Sequence, residues 1–93
     1  MNIVHVPGQN RGDVFMYALS TCVWCKKTKA FLQELKVEYR YLDVDLVPDE
    51  ERDSVVAEMA RRNPARNFPT IVINERDVIV GYHPERLKEL LGP

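Results

Sequence analysis

The stretch "VFMYALSTCVWCKKTKAFLQEL", Val14 to Leu35, holds both cysteines of the chain, three positions apart at Cys22 and Cys25. It begins with an apolar run of strand formers, Val14 to Leu19, which follows Gly12 and stops at Ser20-Thr21. An apolar run without polar alternation predicts a central strand covered on both faces. Further on, Trp24, Phe31, Leu32 and Leu35, with Ala30 beside them, recur mostly at helical spacing, and Lys26, Lys27, Lys29 and Glu34 are expected to face water. The stretch therefore predicts a strand, a tight turn and an amphipathic helix, with the cysteine pair at the first helical turn.

Downstream, "VEYRYLDVD" (37–45) sets Val37, Tyr39, Tyr41 and Asp43 against Glu38, Arg40 and Leu42, which predicts a second strand. Pro48 suits the first position of a second helix. Asp49, Glu50 and Glu51 favour its positive end, Arg61 and Arg62 its negative end, and Asn63-Pro64 stops it. Val55, Val56, Met59 and Ala60 supply its apolar stripe. "FPTIVIN" (68–74) and "DVIVGY" (77–82) predict an antiparallel hairpin, and Pro84 opens a short helix with Leu87, Leu90 and Leu91 on one face, ended by Gly92-Pro93. The order is β-α-β-α-β-β-α. A right-handed parallel crossover followed by a hairpin gives an α/β fold, a four-stranded mixed sheet flanked by helices on both faces. Residues 1–11 form an N-terminal extension in which "IVHV" reads either as an extra edge strand or as a tail ended by Pro7-Gly8.

Ninety-three residues make one domain, 1–93, with no room for a second core. A net charge of -1 provides no global attraction to nucleic acid or an anionic membrane, so neither is expected as a partner. No apolar run approaches the roughly 20 residues that span a bilayer. "MNIVHVPGQN" carries neither a basic leader nor a secretory apolar stretch. A cytoplasmic monomer is expected, in a compartment that keeps thiols reduced.

The cysteines admit three readings. As a staple, a disulfide across four residues removes little entropy from the unfolded chain, roughly 2 kcal/mol against about 3 for a 15-residue loop. As half of a zinc site, the pair needs two more ligands, and only His5 and His83 remain, lone residues at opposite ends of the chain. As a redox pair, Cys22 sits where free N–H groups and the helix dipole favour a thiolate, and Cys25 lies close enough to bond it. Lowering a thiol pKa from about 8.5 to about 7 raises the thiolate at neutral pH roughly 16-fold. Intrinsic nucleophilicity falls about 5-fold over the same shift, so the net gain in attack is a few-fold. The larger benefit is a better leaving group and a stabilised reduced form. The redox reading is the one adopted, with Cys22 as exposed nucleophile and Cys25 as partly buried resolving thiol.

From Val14 to Leu91 the chain resembles the glutaredoxin branch of the thioredoxin superfamily. The resemblance is carried by "CVWC" after a strand, by the element order, by "NFPT" opening the third strand and by the closing "VGYHPERLKELL". It implies a thioredoxin-like fold, a cis Phe68–Pro69 bond beside the cysteines, and Phe68 backbone groups that pair with an extended substrate peptide or with glutathione. The residues alone also admit Pro69 as an ordinary proline at a strand start, the less favoured reading. Glutaredoxins commonly carry Pro-Tyr between the cysteines and a Gly-Gly that holds one end of glutathione. Here Val23-Trp24 and the single Gly81, followed by Tyr82-His83-Pro84, stand in those places. The Gly-aromatic-x-Pro ending is similar to that of the glutaredoxin-like electron donors of ribonucleotide reductase, which are recharged by a thioredoxin-reductase-type protein. Val14 to Leu19 lacks the acid that thioredoxins bury on this strand.

The function expected is that of a dithiol–disulfide oxidoreductase working through a mixed disulfide, with Cys22 and Cys25 catalytic. Thr21, Val23, Trp24, Lys26, Phe68, Pro69, Gly81 and Tyr82 are expected to meet substrate or partner. Disulfide-containing proteins are the expected substrates, with a thioredoxin-reductase-type protein or glutathione as electron source and no permanently bound cofactor or metal. Trp24 is either an exposed docking aromatic or part of the apolar helix face. Lys26, Lys27 and Lys29 with Arg66 either steer an anionic partner or form a solvated face. Two rivals are a glutathione-dependent glutaredoxin that holds an iron–sulfur cluster and a binding module in which the cysteines are incidental.

Overall fold

The middle strand of the sheet is the one predicted from the opening stretch. In this computed structural model, which describes residues 3–92, it runs Val14–Ala18. Met1, Asn2 and Pro93 lie outside the described residues, so the proposed stop at Gly92-Pro93 is described only to Gly92. The elements are β1 (Val4–Val6), β2 (Val14–Ala18), α1 (Val23–Glu34), β3 (Tyr39–Asp43), α2 (Asp49–Arg62), β4 (Thr70–Ile73), β5 (Asp77–Val80) and α3 (Pro84–Leu91), with a 3-10 turn at Val44–Leu46. The sheet order is β1-β3-β2-β4-β5. Strand β2 runs parallel to β3, with Ala18 opposite Asp43, and antiparallel to β4.

Five strands replace the expected four, because "IVHV" supplies an edge strand and not a tail. Val4, His5 and Val6 lie antiparallel opposite Tyr41, Arg40 and Tyr39. Gln9 then fastens the segment: its N–H donates to Lys36 O at 2.7 Å, and its carbonyl accepts Glu38 N–H at 2.8 Å. The second strand is shorter than 37–45, since the chain turns at Val44–Leu46. The third begins at Thr70, after the Phe68–Pro69 bond, which is cis. It ends where Asn74 and Glu75 take positive φ in a tight turn closed by Arg76 N–H to Ile73 O at 3.1 Å. Helix α2 begins at Asp49, one residue after the expected Pro48, and ends before Asn63.

Alternation along β2 and β4 builds two cores. Val14, Met16, Ala18, Ile71 and Ile73 face α1 and α3, where Cys25, Leu32, Leu87 and Leu91 are buried with them. Tyr17 and Val72 face the other way, packing with Leu42, Val44, Val55 and Met59 under α2. Both faces of β2 are therefore taken out of water, which is why the strand reads as an unbroken apolar run. Helix α1 corrects one expectation. Its buried stripe is Cys25, Thr28 and Leu32, with Phe31 and Leu35 packed at the margin, whereas Trp24 and Ala30 are exposed. The parallel pair β2–β3 ends at Ala18 and Asp43, so the cysteine loop leaves from the carboxyl end of the sheet.

Candidate active site

Cys22 caps α1. It holds extended backbone angles (φ -82°, ψ 119°), and its Sγ accepts the backbone N–H of Cys25 at 3.1 Å. Serine, threonine or aspartate usually fill this position, because a side-chain acceptor there satisfies an N–H with no partner inside the helix. A sulfur in that place receives both the hydrogen bond and the positive end of the helix dipole, two influences that favour negative charge on it. No acidic residue in the first turn opposes them. Cys22 is half-buried and Cys25 wholly buried, more deeply than the sequence suggests, and both thiols are free. Burial first, and then the hydrogen bond with Cys22, push the Cys25 thiol up to about 12, against smaller opposing influences from the Leu19 backbone and the Lys29 cation. The pair is thus chemically asymmetric: one sulfur is half-buried and hydrogen-bonded at a helix N-cap, the other buried and held as a thiol.

Around Cys22 the surface is apolar and aromatic. Val23 is 61% and Trp24 54% exposed, which decides Trp24 for the outward position. Its ring stacks on Tyr82 with centroids 6.1 Å apart, and Lys27 Nζ lies 5.1 Å from the indole centroid. Trp24, Phe68, Gly81, Tyr82 and His83 line an open hollow of about 280 Å³. Gly81 turns there at φ +88° and donates its N–H to Pro69 O at 2.8 Å, closing the hairpin onto the cis-proline loop. The structure thus brings Trp24, Phe68, Gly81 and Tyr82 together. Thr21 and Lys26 are exposed near Cys22, and Pro69 is buried behind Phe68. A larger hollow, about 580 Å³, runs along β5 and the start of α3, lined by Val78–Val80 and His83–Arg86. Neither hollow is lined by a cysteine; the smaller one is walled by Trp24, which stands between Cys22 and Cys25 in the first turn of α1, and that adjacency, not the volume, selects it.

His83 holds the helix-start position of α3 and His5 pairs with Glu38 on the surface, as expected of them. Among the described residues, no three His, Cys, Asp or Glu side chains gather in an arrangement able to hold a metal ion. No helix among them is long and apolar enough to cross a membrane.

Three supports escaped the sequence reading. Lys29, expected in water, is 19% exposed and bonds Asp43 at 3.2 Å. Asp45 accepts both the N–H and the hydroxyl of Ser20, tying down the loop ahead of Cys22, and these two bonds hold its carboxyl below the usual carboxylate range. Asn63, 6% exposed, donates to Thr70 Oγ1 at 3.0 Å and accepts Ala65 N–H at 3.2 Å, while Thr70 donates to Asn67 O at 2.6 Å. That network braces the loop carrying Phe68. Only the first had a signal in the sequence, a lysine four residues after a cysteine.

Comparison with known proteins follows the same lines. The family model described as Glutaredoxin matches residues 14–78. The glutaredoxin of Methanosarcina mazei is 45% identical and superimposes with a TM-score of 0.89, over 100% of this chain and 90% of that one. Methanoredoxin of Methanosarcina acetivorans is 44% identical, with a TM-score of 0.88 over 92% of this chain and 90% of that one. A glutaredoxin-like 8.6 kDa protein encoded in the rubredoxin operon of Clostridium pasteurianum, itself uncharacterised, is 31% identical over 82% of this chain and 93% of its own length.

Proposed function

The chain belongs to the glutaredoxin family, and on that premise we propose that it reduces protein disulfides in two steps, recharged by a protein reductase in preference to glutathione. In the first step Cys22 thiolate attacks one sulfur of a substrate disulfide. A mixed disulfide forms, and the departing substrate sulfur takes up a proton. In the second, Cys25 gives up its proton and attacks Cys22, forming Cys22–Cys25 and releasing the other substrate sulfur as a thiol. The substrate gains two electrons, and a dithiol donor returns them to the pair.

The observation that carries this reading is the asymmetry of the pair: Cys22 Sγ at a helix N-cap, hydrogen-bonded and accessible, against a Cys25 that is fully buried. A staple requires no such difference. The preference for a protein partner rests on the surroundings. Val23 and Trp24 are apolar and exposed, and the hollow beside them is lined by aromatic rings, with His83 its only titratable side chain of basic type. The first turn of α3 offers Pro84, which lacks an N–H, and the acidic Glu85, a poor holder for the carboxylates of glutathione. Phe68 lies two residues before the start of β4, ahead of the cis Pro69, where its backbone is placed to pair with an extended peptide.

Mixing the oxidised protein with glutathione plus glutathione reductase, and separately with thioredoxin reductase, tests the reductant. The protein reductase is expected to restore the dithiol faster; equal or faster glutathione turnover overturns that preference. Cys22→Ser should abolish disulfide reduction, whereas Cys25→Ser should still form a mixed disulfide that accumulates.

A further inference from the structure

The second step makes a demand on Cys25 that its surroundings resist. The residue is fully buried in the core between the sheet, α1 and α3, and that burial pushes its thiol up to about 12. One full charge lies on the same helical face. Lys29 follows Cys25 by four positions, one turn along α1, and its charge is among the influences that pull the thiol back down. Lys29 is held in place from two sides. Its Nζ donates to Asp43 Oδ1 at 3.2 Å and sits 4.0 Å from the Tyr41 ring centroid. Asp43 ends β3 opposite Ala18, the last residue of β2 before the cysteine loop.

This pair is unlike its neighbours. Lys29 and Asp43 are 19% and 15% exposed, whereas both partners of Asp13–Arg40, Asp49–Arg52 and Arg86–Glu89 exceed 40%. Taking an ion pair out of water returns little net stability, because desolvation cancels most of the attraction. What sets Lys29–Asp43 apart is its place, a cation one turn from the resolving thiol with an anion tempering it.

We infer that Lys29 is a positioning residue for the second step, supplying the positive field in which Cys25 sheds its proton, while Asp43 fixes the ammonium and moderates that field. The inference rests on the two-step reading above. Lys29 forms no bond in the reaction. The Cys25 proton passes to solvent, the Cys22–Cys25 bond forms, the bond from Cys22 to the substrate sulfur breaks, and that sulfur leaves with the electron pair and is protonated. Near Cys25 the titratable groups are Cys22 and Lys29 on α1, with Asp43 and Tyr41 on β3 in contact with the Lys29 ammonium. Leu87 and Leu91 of α3, and Phe68 of the cis-proline loop, face the same cluster with apolar side chains.

One equivalent of 5,5′-dithiobis(2-nitrobenzoate) separates the steps, releasing a first chromophore as Cys22 attacks and a second as Cys25 resolves. Lys29→Met is expected to slow the second phase about tenfold near neutral pH, as befits loss of a charge interaction at moderate range. The pH at which that phase is half-maximal should rise, with the first phase unchanged. Lys29→Arg should restore most of the rate. Asp43→Asn should move the pH midpoint the opposite way, since the cation is then untempered. A pair that merely braced the fold would shift both variants in the same sense. That result, or a second phase indifferent to Lys29→Met, overturns the inference. Loss of the fast first phase in the unsubstituted protein would strike the two-step reading itself, and the role of Lys29 with it.

Discussion

Cys25 shows how burial, reinforced by the hydrogen bond with Cys22, sets apart two identical side chains. Its thiol, pushed from 9.0 up to about 12, holds its proton more tightly in the folded protein than in the unfolded chain. The stability it contributes is therefore intact below about pH 9 and is lost as pH rises toward 12, by roughly 4 kcal/mol at the most from this group. Denaturant midpoints of the reduced protein should fall across that window, and the fall should be shallower in Cys25→Ala. Tyr17 and Tyr39, both raised chiefly by burial, titrate in either protein and cancel from the comparison. Parallel pH profiles for the two would mean that Cys25 is not a buried thiol in solution. At this scale the sequence was informative about which cysteine caps α1, because N-cap position follows from local spacing. It was silent on depth. Whether Trp24 turns outward or Lys29 inward depends on Tyr82 and Asp43, partners far along the chain.

Among the elements, the segment from the end of α2 to the start of β4 has no helix or strand of its own, and it carries Phe68 into the cluster that holds Cys22. Side chains replace the missing ladder. Asn63 closes α2, with its N–H to Met59 O at 2.9 Å, and its buried carboxamide binds Thr70 and Ala65 across the loop. Arg66 turns within it at φ +56°. In the sequence "NP" at 63–64 signals only a helix stop, since a carboxamide bonded to a residue seven positions away leaves no periodic trace. Asn63→Ala removes these bonds and leaves buried partners unpaired, at a cost of about 1–3 kcal/mol. We expect protein-disulfide reduction to slow by more than the reaction of Cys22 with iodoacetamide, because in the proposed function the loop pairs with an extended substrate, a contact the small reagent does not use. Equal slowing of both would place the network's effect on α1 instead. The edge strands show the complementary case: β1 could be read as strand or tail because its three residues acquire pairing only once β3 is beside them.

Across the whole molecule, one sheet separates two cores, and only one of them holds a cysteine. The order of elements along the chain and both helical layers were legible because β2 and β4 carry apolar residues toward both sides, a pattern that local sequence displays directly. Which layer tunes the chemistry was not, since that depends on Cys25 sharing a cluster with Leu32, Leu87 and Leu91 while Met59 and Val55 lie behind the sheet. Leu32 and Met59 are both fully buried, one on each side. Truncating either to alanine should cost about 2–5 kcal/mol, so denaturation alone will not distinguish them. Their effects on the sulfur should differ. Leu32→Ala opens space beside Cys25, admits water, and lowers the pH at which the resolving phase accelerates. Met59→Ala leaves that pH where it was, despite a comparable loss of stability. Rapid-mixing measurements over a pH series on the two variants read this directly. A shift of similar size in both would show that the sheet transmits packing changes between the layers, and that the resolving thiol answers to the whole domain and not to its own side of it.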